Sequence, residues 1–324
     1  MTALTRPPQL WRGARVRVVA PAGPIPAGLL DAGLAELGGW GVRVTVAEHV
    51  LGTHPTLPYL AGTDADRAAD LRDAWCDPNV DAVFCARGGY GCLRVLDLLD
   101  WPAMAAATPK LFVGSSDVTA LHQAFAARLG VTTVFGPMIA THAFAHDPVA
   151  RAGLRDCLFN PTTPPVVTGE GPLAAGVTGG RGRGVLVGGN ASLLAATLGA
   201  PHSLPPPGAI VLLEDVTESP YRIDRIISQL GRAGWFERAA GVALGSWVDC
   251  GDLGELRAMF TDRLAGLGIP VGWGFGFGHG PGQSTVPLGV AAELDADTGT
   301  LTVLEPALRS VPLARCQEPV EFGQ

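Results

Sequence analysis

The chain has 324 residues, 47% hydrophobic and 16% charged, which is long enough for about two domains and rich enough in apolar side chains for buried sheets. Acidic residues outnumber basic ones, 30 to 23, and no run of Lys or Arg occurs, so neither a nucleic acid nor an anionic membrane is an expected partner. The 44 Gly and 27 Pro stand at punctuating positions and not in a repeat, which excludes collagen-like and low-complexity organisation.

In chain order the first half alternates as βαβ units do. A β-branched apolar run at 16–20 stops at Pro21-Ala22-Gly23-Pro24, and helical spacing follows from Leu29 to Leu37, ended by Gly38-Gly39. Residues 42–46 form a second predicted strand. Thr63-Asp64-Ala65-Asp66 then opens a helix with an N-cap and first-turn acids. The third strand, 80–85, is wholly apolar after Asp81, as a parallel strand covered on both faces should be. A helix at 91–99, a strand at 111–113, a helix at 118–129 and a strand at 131–135 complete this half. Right-handed crossovers make it an open doubly wound, mostly parallel sheet with its site at the carboxyl ends of the strands.

Residues 160–183 change character, with Pro161, Pro164, Pro165, Pro172 and several glycines, and read as an interdomain linker. Beyond it the pattern predicts strands at 185–187, 209–213, 241–244, 290–294 and 301–304, and helices at 190–198, 221–230 and 253–264. The expected organisation is α/β throughout: a nucleophile-bearing domain over 1–160, a linker over 161–183, and a smaller α/β domain with a mixed, barrel-like sheet over 184–324. No apolar stretch approaches the roughly 20 residues that span a bilayer. Residues 1–10 carry two prolines and no signal-peptide core, so a soluble cytoplasmic protein is expected. The six cysteines (Cys76, Cys85, Cys92, Cys157, Cys250 and Cys316) lack C-x-x-C spacing and read as reduced, mostly buried side chains.

Chemistry concentrates where Leu111-Phe112-Val113 runs into Gly114-Ser115-Ser116-Asp117. A strand that turns sharply into a helix through Gly-x-Ser lifts the serine hydroxyl clear and aims the next N–H at whatever binds there. Ser116 is thus a candidate nucleophile; the plainer reading is that Ser116 or Asp117 caps the helix. A nucleophilic serine needs a base, and the base an orienting carboxylate. Of seven histidines, His279 alone lies in a glycine-dense loop, Gly276-Phe277-Gly278-His279-Gly280-Pro281-Gly282, whose ordering is costly unless the ring is used. The carboxylate candidate is Glu214, ending the apolar strand Ile210-Val211-Leu212-Leu213; the alternative for it is a salt bridge to Arg222 or Arg225. Glu218 is a second candidate, or else a cap of the helix at 220–232. Arg87-Gly88-Gly89-Tyr90-Gly91 follows the third strand and reads either as an anion-holding turn or as an ordinary strand–helix turn. Gly188-Gly189-Asn190-Ala191-Ser192 is likewise a substrate loop or a plain helix cap. No metal motif and no dinucleotide fingerprint occurs, so neither a metal nor a cofactor is expected.

At these residues the chain resembles the LD-carboxypeptidase family of serine peptidases, a group that includes the microcin C immunity peptidases. The resemblance covers nearly the whole length. Its segments are Val19-Ala20-Pro21, Ala86-Arg87-Gly88-Gly89-Tyr90-Gly91, Gly114-Ser115-Ser116-Asp117-Val118-Thr119, Gly136-Pro137-Met138, Gly188-Gly189-Asn190, Leu213-Glu214-Asp215, Pro220-Tyr221-Arg222-Ile223-Asp224 and Gly278-His279. Singly weak, they are specific in this order and spacing. The resemblance implies a triad of Ser116, Glu214 and His279 split across two domains. It implies an oxyanion hole from the backbone N–H of Asp117 and of a glycine in the Gly88-Gly89 turn. Arg87, Tyr90 and Asn190 are the expected substrate contacts. In one departure, Ser115 stands where the family usually has an aromatic residue.

The reaction so implied is hydrolysis of the amide between an L-centre and a terminal D-amino acid, releasing D-alanine from a muropeptide tetrapeptide. A homodimer is implied as well. Two rivals stand beside this reading. One is an immunity-type peptidase acting on an aminoacyl nucleotide, with Trp235, Trp247 or Trp273 as the platform for its base. The other is a non-catalytic receptor on the same two-domain fold.

Overall fold

The computed structural model describes residues 3–162, 165–169 and 176–312. Its strands are β1 (Arg15–Val19), β2 (Arg43–Val46), β3 (Ala82–Cys85), β4 (Leu111–Gly114), β5 (Thr133–Phe135), β6 (Val166–Thr168), β7 (Arg181–Asn190), β8 (Ile210–Val216), β9 (Gly241–Val248), β10 (Val271–Trp273), β11 (Val286–Leu288), β12 (Ala291–Asp295) and β13 (Thr300–Val303). The helices are α1 (Ala27–Gly39), α2 (Asp64–Cys76), α3 (Cys92–Val95), α4 (Trp101–Ala106), α5 (Thr119–Ala124), α6 (His142–Ala145), α7 (Pro148–Phe159), α8 (Ala191–Ala196), α9 (Pro220–Arg232) and α10 (Leu253–Leu264).

Two mixed sheets organise these elements. The first has the order β11-β5-β4-β3-β1-β2. Its strands β1 to β5 are parallel to their neighbours, while β11 runs antiparallel on β5. Every residue of β3 and β4 is buried, so these two short apolar strands are covered on both faces, as their composition demands. β11 arrives from late in the chain. Its Pro287 lacks an N–H, and an edge strand tolerates that.

The second sheet has the order β10-β9-β8-β7-β12-β13-β6. The first half of β7 pairs antiparallel with β12, and its second half pairs parallel with β8. Thr178, between β6 and β7, forms an antiparallel bridge with Val271, so the chain leaving one edge strand touches the other. Part of the stretch expected as a linker is therefore strand, since Val166–Thr168 forms β6 and Arg181 opens β7. Its residues 163–164 and 170–175 lie outside the described residues.

Other differences from the expected elements have local causes. The helix expected over 118–129 is a 3₁₀ turn at Ser116–Val118, then α5, then a π-helical turn at Phe125–Leu129 that closes on Gly130 with φ 64°. The helix expected over 91–99 is only α3 followed by a 3₁₀ turn at Leu96–Leu98. α4, α6 and α7 were not read from the sequence, although α7 carries a sound start signal. Asp147 caps it through Val149 and Ala150, and Pro148 occupies its first turn.

A large apolar cluster runs from the first sheet into the second and includes Phe135, Phe277, Val286, Leu186 and Ile210. A smaller one under α8, α9 and α10 contains Trp235, Trp247, Phe260 and Trp273. Phe135 and Phe277 meet edge to face at 6.4 Å, joining the first sheet to the loop that carries His279. Burying each such ring contributes about 1.5–3 kcal/mol.

Candidate active site

At the end of β4 the backbone passes from an extended Ser115 (φ −155°, ψ −174°) to Ser116 with φ 59°, and then into helix. A serine in left-handed conformation is strained by about 1–3 kcal/mol, and that strain persists only where surrounding contacts hold it. The result is the sharp strand-to-helix elbow that the sequence predicts, with Ser116 half-buried at its apex. The pressure on one side comes from Gly88. A Cβ placed there would lie 2.8 Å from Ser116 Cβ and 3.3 Å from the Asp117 nitrogen, so only glycine lets the turn after β3 close on the elbow.

The Asp117 side chain ties the two turns together. Its carboxylate accepts from the Cys92 N–H at 2.7 Å, and burial pushes its carboxyl above the usual range against the pull of that hydrogen bond. Arg87 is half-buried, and its Nη1 donates to the Pro24 carbonyl at 2.5 Å. Tyr90 is exposed and stands edge-on to exposed Tyr59, 5.7 Å between ring centres.

Glu214, at the carboxyl end of β8, is fully buried and accepts from His279 Nδ1 at 2.7 Å. Burial of the His279 ring works against its charge, but the Glu214 carboxylate, with Asp215 behind it, outweighs burial and raises the imidazole pKa above its ordinary value. For Glu214 the balance is reversed, and burial raises its pKa despite the neighbouring ring. The close approach is possible because residue 278 is glycine. Its φ is +118°, and a Cβ there would sit 2.6 Å from Glu214 Oε2 and 2.5 Å from Ser246 Oγ. The alternatives weighed for the acidic residues resolve by partner. Arg222 pairs with Glu218 at 2.5 Å, and Arg225 lies over the Tyr221 ring.

The loop carrying His279 runs from β10 in the second sheet to β11 in the first. On one side Ser246 of β9 accepts from the His279 N–H (2.8 Å) and the Gly280 N–H (3.1 Å). On the other side the Gly282 N–H donates to Asp147 Oδ2 (2.7 Å), and the buried Gln283 amide reaches Ser115 Oγ at 3.4 Å. The second sheet approaches the helix after Ser116 directly as well, because the Asn190 N–H donates to Thr119 Oγ1 at 3.0 Å. Neither the Ser116 hydroxyl nor His279 Nε2 is hydrogen-bonded to another group among the described residues.

Asn190 is placed differently from the expectation of a substrate contact. Its Oδ1 caps α8 at Leu193 (3.1 Å), and its Nδ2 donates to Asp215 (3.0 Å). Asp215 also accepts from the backbone and hydroxyl of Ser192, so this pair is committed to fixing α8 on β8. Sequence reasoning missed Ser246, Asp147 and Gln283, which are single polar residues with no motif around them, and gave no role to Thr119 although it closes the elbow segment. It also set aside His122, which lies directly behind the elbow. The Gly114 carbonyl can only accept, so His122 Nε2 carries the proton, and Nδ1 accepts from Thr133. Burial lowers its pKa to about 4, which keeps it neutral and structural.

The remaining groups offer little rival chemistry. Burial raises the thiols of Cys85, Cys92, Cys157 and Cys250, holding them protonated, and Cys316 lies outside the described residues. Trp235, Trp247 and Trp273 are all core side chains at 5% exposure or less. Among the described residues no group of three or more His, Cys, Asp or Glu is placed to hold a metal ion, and no helix is long and apolar enough to cross a membrane.

Known proteins carry the same two-part organisation. Residues 16–136 match the LD-carboxypeptidase N-terminal domain, and residues 183–294 match the LD-carboxypeptidase C-terminal domain. The chain belongs to the LD-carboxypeptidase family. It is 57% identical over 312 residues to a Streptomyces coelicolor protein of provisional carboxypeptidase assignment, covering 96% of this chain and 99% of that one. It is 32% identical over 309 residues to the murein tetrapeptide carboxypeptidase of Pseudomonas aeruginosa, covering 92% and 99%. Among solved structures the microcin C7 self-immunity protein MccF superposes with a TM-score of 0.84 at 23% identity, covering 94% and 100%, a likeness of fold.

Proposed function

We propose that this carboxypeptidase-family chain is a serine peptidase that removes a terminal D-amino acid from an L-centre, releasing D-alanine from murein tetrapeptides. The observation that carries the reading is the Glu214–His279 hydrogen bond of 2.7 Å, on a loop tied to the residue before a strained serine elbow. In this mechanism His279 Nε2 takes the proton of Ser116 Oγ as that oxygen attacks the scissile carbonyl. The N–H groups of Asp117 and of the Gly88-Gly89 turn hold the oxyanion. The tetrahedral adduct collapses, the C–N bond breaks, and the imidazolium gives its proton to the departing amine of the D-amino acid. Water then repeats the sequence on the acyl-enzyme, with His279 again as base, and frees Ser116. Glu214 holds the ring in the tautomer with Nδ1–H and offsets the charge it acquires. The resemblance to a murein tetrapeptide carboxypeptidase over 92% of the chain supports the substrate class.

The immunity-type reading draws on the MccF fold. It needs a stacking surface for a nucleobase, and the three tryptophans weighed for that role are buried in the core. Mass spectrometry of two substrates, a murein tetrapeptide and an aminoacyl sulfamoyl adenylate, tests the choice. Wild type is expected to release D-alanine in the presence of EDTA, and Ser116→Ala to lose about 10⁴-fold or more of the rate while its melting temperature is kept. Cleavage of the adenylate alone transfers the chain to the second reading. An active alanine variant overturns the nucleophile.

A further inference from the structure

A split site poses a geometric problem that the triad itself does not solve. Ser116 rides on the first sheet and Glu214 on the second, while His279 lies on the loop that crosses between them. Ser246 and Glu214 fix the ring to the second sheet only. Something must set the distance from that ring to the serine.

The geometry points to Asp147 as a positioning residue for His279, acting across the interface through the Gly282 N–H. This rests on the serine-peptidase reading above. Three observations carry it. The Asp147–Gly282 bond is short, 2.7 Å, and its acceptor is ionised, the stronger class of hydrogen bond. That N–H is the first cause holding the Asp147 carboxyl below its usual range, so the bond favours the charged form. The carboxylate is itself immobilised, because its other oxygen caps α7 at Val149 (2.9 Å) and Ala150 (3.1 Å). Asp147 therefore clamps the loop three residues beyond His279 to a helix end, while Ser246 clamps it at His279 itself.

Ser115 supplies a second, weaker tie. Both it and Gln283 are buried, and the amide–hydroxyl contact of 3.4 Å links the residue before the nucleophile to the same loop. This gives a function to the serine that stands where an aromatic residue is usual. The contact it makes between the elbow and the histidine-bearing loop is polar.

The test uses variants that keep the helix cap and lose the clamp. Asp147→Ser can still cap α7 but is too short to hold Gly282; Asp147→Asn keeps a capping oxygen and turns a donor toward a donor. Each is compared with wild type for tetrapeptide turnover and for Ser116 labelling by a fluorophosphonate. A misplacement of the base by about 1 Å costs on the order of 10²-fold. The expected result is a 10- to 100-fold loss in kcat and in labelling rate, with KM within twofold. Labelling should run to the same final stoichiometry as wild type, which excludes an unfolded or inactive fraction. The acid limb of the pH profile should stay in place, since Glu214 and His279 still pair. Wild-type rates in both variants, or rate losses matched by a lowered labelling endpoint, overturn the clamp alone. A wild type that never labels at Ser116 overturns the serine-peptidase reading and the clamp with it.

Discussion

The two sheets hold their chemical groups by different means. On the first, Ser116 is aimed by the backbone of the element that carries it: a buried strand, one residue at φ 59°, and a helix. On the second, Glu214 is rigid at a strand end, but His279 hangs on a glycine-rich loop and is aimed by hydrogen bonds from three other segments. A group fixed by local strain tolerates change far away, whereas a group fixed by several tethers loses part of its alignment with each one that is cut. Substitutions on the histidine side should therefore produce graded losses, and those on the serine side all-or-none ones.

Glu214→Gln is the sharpest way to break that contrast. Loss of the carboxylate removes the tautomer control, and kcat should fall by about 10⁴-fold with the fold intact. The pH profile gives the sign. Activity needs neutral His279, so it is lost as pH falls through the ring's raised pKa, which places the wild-type acid limb above about 6.5. Removing Glu214 removes the cause of the rise, so the limb in residual kcat/KM should move to lower pH. An unmoved limb would assign it to another group.

Gly278→Ala comes next. The added methyl would crowd Glu214 Oε2 and Ser246 Oγ together and would have to adopt φ +118°. Turnover should drop about 10²-fold and stability by about 1–3 kcal/mol, read from denaturant midpoints. The smallest effect should come from Glu218→Gln. This residue pairs with a half-exposed arginine, and such pairs contribute about 0–1 kcal/mol, so both kinetics and melting temperature should stay near wild type.

The sequence revealed the serine side more fully than the histidine side, and for the same physical reason. Apolar runs such as Ala82–Cys85 and Leu111–Gly114 carry their burial in their composition, and an elbow announces itself by the residues that make it. Tethers do not. Ser246 sits two residues past the predicted end of its strand, and Asp147 stands before a helix that the sequence pattern did not disclose. The apolar pattern predicts only residues 185–187 of β7, which is ten long, because Gly182 and Gly184 on one side and Gly188 and Gly189 on the other interrupt it. β10 and β11 are three residues each, too short to stand out among the surrounding glycines.

β11 has a consequence for the order in which the molecule can be built. It is an edge strand of the first sheet, yet it leaves the ribosome after five of the second sheet's seven strands have been made. Until then β5 keeps an open flank, with unpaired N–H and C=O groups of the kind that recruit other chains. The serine elbow is complete by residue 124, whereas His279 comes 155 residues later, on the loop that leads into the strand closing that flank. The growing chain thus carries the serine elbow long before its histidine loop, and the strand that seals the sheet also brings that loop to it.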